Sequence, residues 1–130
     1  MPKKSYGVVI PKEYKIKPAE LDAAWILANH YKMDVQVLTP SDGFMQKTAD
    51  FIISDVLYEL KSPITSNIRS IENLVRLATK QSYNVILDLR KTKLTEKRMH
   101  ELCKERLREI KKLRKIILIA KNKKVLEFTK

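Results

Sequence analysis

The sequence predicts an α/β fold: one mixed sheet flanked by helices. Two observations carry this. Stretches with apolar residues at helical spacing alternate with short runs rich in Val, Ile and Leu. Only two glycines and no low-complexity run or internal repeat occur in the 130 residues, so residues 1–130 read as one domain. Apolar and charged contents of 44% and 32% suit a globular chain long enough to bury a core.

The elements follow in order. "YGVVI" (6–10) predicts a short edge strand before Pro11. "KPAELDAAWILANHYK" (17–32) predicts a helix, with Pro18 in its first turn and Leu21, Ala24, Trp25, Ala28 and Tyr31 facing inward. "DVQVLTP" (34–40) alternates as a strand stopped by Pro40, and "SDGFMQKT" (41–48) reads as a loop. "ADFIIS" (49–54) and "VLYELK" (56–61) form a hairpin turning at Ser54-Asp55. "SNIRSIENLVRLATKQ" (66–81) predicts a helix capped by Ser66 or Asn67, with Ile68, Ile71, Leu74, Val75 and Ala78 as its apolar stripe. "NVILDLRK" (84–91) starts as a continuous apolar run and predicts a central strand buried on both faces. A long helix over 95–114, capped by Thr95, turns Met99, Leu102, Cys103, Leu107, Ile110 and Leu113 inward. "KIILIA" (115–120) and "KVLEFT" (124–129) close the chain as two strands.

Charge is the strongest compositional signal. The 27 Lys and Arg against 15 Asp and Glu give +12, which favours a polyanion partner such as nucleic acid. The longest apolar runs, Ala23–Ala28 and Ile116–Ala120, are far too short to span a bilayer. No predicted helix sets a basic face against bulky aromatics, so a membrane surface is not expected as a partner. The N-terminus lacks an apolar segment of signal-peptide length, which predicts a cytoplasmic chain or a fragment delivered by a larger protein. Cys103 is the single cysteine, so no internal disulfide can form, and its apolar neighbours predict core packing.

"ADFIISDVLYELKSP" (49–63) places charges where a core strand favours Val or Ile. A turn at Ser54-Asp55 makes facing residues sum to 109, so Asp50 opposes Glu59 at about 4.5–5.5 Å between Cβ atoms. Lys61 shares that face, because side chains alternate along a strand. Two carboxylates so close repel unless a cation lies between them. A hard divalent ion is one occupant, and it would polarise a phosphodiester and activate water. Lys61 would then hold the water or offset charge on phosphorus oxygens. A structural ion pair between Lys61 and either acid is the other reading.

Asp50, then Glu59-Leu60-Lys61 across a hairpin, resembles the PD-(D/E)xK phosphodiesterase superfamily, with Ala49 where that motif has proline. Glu20 is placed to supply the further acid that the resemblance implies on the preceding helix, ahead of Glu13. A wider likeness spans residues 49 to about 128. "ADFIISDVLYELKSP", "SNIRSIENLVRLATKQSYNVILDL" and "LREIKKLRKIILIAKNKKVLEF" together resemble the C-terminal toxin domains of contact-dependent growth-inhibition proteins, closest to the tRNA-cleaving sort. That likeness implies a restriction-endonuclease-like fold and a nuclease using a divalent metal (Mg²⁺, Mn²⁺ or Zn²⁺) on Asp50, Glu59 and Glu20. It also implies a tRNA substrate and an acidic immunity protein. The Glu-Leu-Lys hairpin is similar, too, to metal-independent RNases of the barnase and colicin type. A basic domain that binds nucleic acid without cutting it is the remaining alternative.

Lys80 resembles a lysine on the corresponding toxin helix, which implies a catalytic part. Arg69, Asn73, Arg76 and Lys80 form a polar stripe that either faces solvent or lines a substrate edge. Ser62, Thr65, Ser66 and Asn67 precede the helix and form either a phosphate cradle or an ordinary cap. Asp88 is a third ligand or a strand end paired with Arg90. His30 and His100, the only histidines, have no metal-site spacing and read as structural or surface residues. The basic run 104–115 reads as a solvated face.

Overall fold

The computed structural model describes residues 6–39 and 49–130. The expected loop at 41–48 and the stop at Pro40 lie outside the described residues. In chain order the elements are β1 (Val8–Val9), α1 (Pro18–Tyr31), β2 (Val35–Val37), β3 (Phe51–Ile53), β4 (Val56–Lys61) and α2 (Ile68–Ala78). After them come β5 (Asn84–Asp88), α3 (Glu96–Glu109), β6 (Lys115–Ile119) and β7 (Val125–Thr129). The strands form one seven-stranded sheet in sequential order. β1–β2, β4–β5 and β5–β6 are parallel; the other neighbours are antiparallel. This is the mixed α/β architecture that the alternating patterns predict.

Helices cover both faces. On one, Ala23, Ala24, Leu27 and Ala28 of α1 pack with Phe51, Ile53, Tyr58, Ile86 and Ile117. On the other, Ile71, Val75 and Ala78 of α2 join Met99, Leu102 and Cys103 of α3 over Val85, Leu87, Ile116 and Leu118. β5 and β6 therefore bury side chains on both faces, and each Leu or Ile so buried contributes about 1.5–3 kcal/mol.

Three expectations need correction. Trp25 was expected inward on α1 but is 42% exposed, while Ile26 and Leu27 are buried. The run Ala23–Ala28 is apolar all round, so spacing alone does not choose a stripe. The alanines allow close approach to the sheet, and the bulkiest side chain stays outside. α3 ends at Glu109 rather than 114, because Ile110 turns extended (φ −97°, ψ 106°). The chain must then reach the start of β6, where the Arg114 N–H donates to the Tyr83 carbonyl at 2.8 Å. Lys130 Nζ donates to the freed carbonyls of Ile110 and Lys111 at 2.8 and 2.9 Å.

The third correction is Arg106, part of the run expected to be solvated. It is 4% exposed and bridges helices, with Nη2 3.1 Å from Glu72 and 2.8 Å from Glu109.

Candidate active site

The hairpin turns where its sequence allows. Phe51 faces Tyr58, Ile52 faces Leu57 and Ile53 faces Val56, so facing numbers sum to 109 as expected. Ser54 and Asp55 both adopt positive φ, 50° and 64°. Positive φ at both central residues gives the turn the twist that two-residue hairpins need, here without the usual Asn-Gly. The β3–β4 ladder stops at Phe51. Beyond it the Asp50 N–H donates to the Tyr58 carbonyl at 2.9 Å, and Asp50 Oδ2 accepts from the Leu60 N–H at 2.8 Å. One carboxylate oxygen is thus fixed to the neighbouring strand.

Glu59 and Lys61 pair in parallel register with Val85 and Leu87, both members of the core under α2 and α3. The alternate residues Tyr58 and Leu60 join the α1 side. Glu59 is 8% exposed, and its Oε1 is buried with no hydrogen-bond partner among the described residues. Oε2 lies 3.5 Å from Lys61 Nζ. Burial and the negative charge of Asp50 push the Glu59 carboxyl up to about 7, and Lys61 offsets part of that rise.

α1 brings a third acid from the other face. Glu20 stands in its first turn, and burial followed by the Asp50 charge raises its pKa. The Tyr14 hydroxyl donates to Glu20 Oε1 at 3.2 Å, and burial and that acid raise the tyrosine in turn. Tyr14 escaped the sequence reading because it precedes α1 in an irregular segment, where no periodicity marks a side chain. Among the described residues no group of three or more His, Cys, Asp and Glu is arranged to hold a metal ion. Asp50 and Glu59 lie close enough to repel each other, and Glu20, held by Tyr14, also feels the Asp50 charge.

The remaining candidates separate along α2. Ser62 follows Lys61 directly, and its Oγ is buried without a partner among the described residues. The Asn67 side chain, rather than Ser66, caps α2, accepting from the Ser70 N–H at 3.0 Å. Ser66 Oγ instead accepts from the Lys93 N–H at 2.8 Å. Arg69 is exposed in the first turn and Arg76 in the last. Lys80 lies beyond that last turn, lining a cavity with Val56 and Leu57 at the hairpin-turn end of β4. Strand rise puts Leu57 about 13 Å from Lys61. Arg76 and Lys80 thus belong to the opposite end of the sheet from Ser62, Ser66 and Arg69.

Asp88 takes the structural alternative. Arg90 Nε and Nη2 engage its two oxygens at 2.9 and 2.7 Å, and the acid is 2% exposed. His30 is exposed against Tyr31, and His100 packs edge-on to Phe128. Cys103 is buried.

Among solved structures the chain is similar to one described as "CdiA-CT/CdiI toxin and immunity complex from Burkholderia pseudomallei". The TM-score is 0.73 at 20% identity, covering 95% of this chain and 100% of that one. At that identity the likeness concerns the fold. No curated protein matches the chain. Residues 47–125 match the family model for the contact-dependent growth inhibition CdiA C-terminal domain, more than half of the sequence, and the chain belongs to that family.

Proposed function

We propose that this toxin domain is a metal-dependent endoribonuclease, with tRNA as its substrate, delivered into a target cell as part of a larger protein. One observation carries the chemistry: the Glu59 carboxyl is buried next to the Asp50 carboxylate, with Oε2 3.5 Å from Lys61 and Oε1 lacking a geometric hydrogen-bond partner among the described residues. Lys61 offsets only part of the repulsion between the two carboxylates, so a further cation would be favoured there. The donor set is hard oxygen, and two carboxylates completed by water suit Mg²⁺ or Mn²⁺. Asp50 and Glu59 would hold the ion, with Glu20 as a neighbouring base or outer partner. When bound, the ion would polarise the phosphoryl oxygen and lower the pKa of a bound water.

The chain's own groups do the rest. Lys61 Nζ donates to the attacking water or to a phosphoryl oxygen, offsetting charge that grows as the water oxygen bonds to phosphorus and the ester oxygen departs. The Leu60 N–H holds Asp50 in place through Oδ2. Arg69, exposed in the first turn of α2, holds a flanking phosphate where the helix dipole favours anions. The +12 charge supports a nucleic-acid substrate, and it supports an acidic immunity partner by the same complementarity.

A second reading rests on Glu59 alone. A carboxyl raised to about 7 matches a general base working near neutral pH, without metal. Incubation with total cellular RNA and with DNA, in Mg²⁺, Mn²⁺ or EDTA, separates the two. The metal reading expects RNA cleavage that stops in EDTA; full activity in EDTA selects the metal-free reading. No cleavage of either polymer under any condition rejects both.

A further inference from the structure

We infer that the cavity between the hairpin turn, the end of α2 and the approach to β6 is a second nucleotide-binding site, which holds a base and its phosphate away from the carboxylates. The site has a volume of about 680 Å³, and Leu57, Lys80, Gln81, Tyr83 and Lys112 are among the residues lining it. Leu57 is 48% and Tyr83 50% exposed, the apolar and aromatic surface on which a base can stack. The Arg114 guanidinium lies 6.0 Å from the Tyr83 ring centroid, and the Arg114 N–H fixes the Tyr83 backbone at 2.8 Å. The ring is therefore presented by a strand entry rather than a free loop. Ser82 Oγ donates to the Leu57 carbonyl at 2.7 Å and ties the two walls together.

Charge and hydrogen bonding point the same way. Lys80 and Lys112 outnumber the single acid, Asp55, in the lining. Gln81 lines the cavity as well, and its amide group can both donate to and accept from a base edge. An aromatic face, two ammonium groups and a side-chain amide are the chemistry of a nucleotide site. Val56, Leu57 and Tyr83 make a thin apolar surface for docking a protein. The cavity sits about 13 Å along β4 from Lys61, roughly four steps of a stacked strand, so one RNA can touch both places.

The inference rests on the nuclease reading for the identity of the polymer, and its test does not need cleavage. Fluorescence anisotropy in EDTA, with a labelled single-stranded 12-nucleotide RNA, compares the full chain with Tyr83→Ala, Tyr83→Phe and Lys112→Glu. Tyr83→Ala is expected to weaken binding at least about fivefold, with Tyr83→Phe near wild type. Lys112→Glu is expected to weaken binding and to flatten the salt dependence by about one phosphate contact. Circular dichroism melts confirm that the variants fold, as expected for exposed positions. Tyr83→Ala and Lys112→Glu binding as tightly as wild type overturns the inference. So does an outcome in which both keep RNA affinity but lose an acidic immunity protein. Weakened binding by a chain that cuts nothing upholds this site and rejects the nuclease reading.

Discussion

Glu59 concentrates the residue-scale chemistry, and its titration has a definite sign. Burial and Asp50 raise its folded pKa from 4.5 to about 7. Between those values the folded state binds more protons than the unfolded state, so stability falls as pH rises through that window. Urea unfolding in EDTA should therefore find Glu59→Gln more stable than wild type at pH 8 and little changed at pH 5. An equal difference at both values contradicts this environment for Glu59. Cys103 offers a second check, since burial pushes its thiol up to about 12. It should resist thiol reagents in the native protein and react only on unfolding. The hairpin register around Asp50, Glu59 and Lys61 was legible because a strand has period two and a two-residue turn fixes which residues face. Tyr14 was illegible for the opposite reason: its contact with Glu20 depends on how an irregular segment folds back over α1.

At the scale of elements, the order of strands and helices was readable from apolar period alone, and the ends of elements were not. α2 began where expected because Asn67 caps it, and it ended at Ala78, before the expected Gln81. α3 ran five residues short. Its basic sequence continues with good helix formers, and only the path into β6 stops it. Arg106 shows the same limit, because local sequence gives no hint that Glu72 of α2 lies opposite. Removing it breaks a clamp between α2 and α3 and leaves a partly buried Glu72 unpaired. Arg106→Ala should cost about 2–3 kcal/mol in urea unfolding, from lost pairing and lost packing of its stem. The hairpin turn predicts a gain instead. Ser54 and Asp55 hold positive φ without glycine, so the Ser54→Asn, Asp55→Gly double variant should raise stability by about 1 kcal/mol in the same measurement.

Across the whole molecule, the sheet sets two regions apart. Where β3 begins and β4 ends, Asp50, Glu59 and Lys61 come together, with Glu20 of α1 within reach of the Asp50 charge. At the hairpin turn, Tyr83, Lys80 and Lys112 surround a cavity. The basic excess was plain from composition, but its division between the two ends followed only from α2 running antiparallel to β4. That geometry separates Lys80 from Lys61, although the family resemblance implied a catalytic part for both. Family membership supplies the toxin context, and the carboxylate pair supplies the proposed chemistry. The most direct measurement is cleavage of total tRNA in Mg²⁺ or Mn²⁺ by wild type and by Asp50→Ala, with folding of both confirmed by circular dichroism. The proposed site predicts a loss of about 100-fold or more in the folded variant, the scale of removing a principal electrostatic group. Cleavage at the wild-type rate by Asp50→Ala contradicts it.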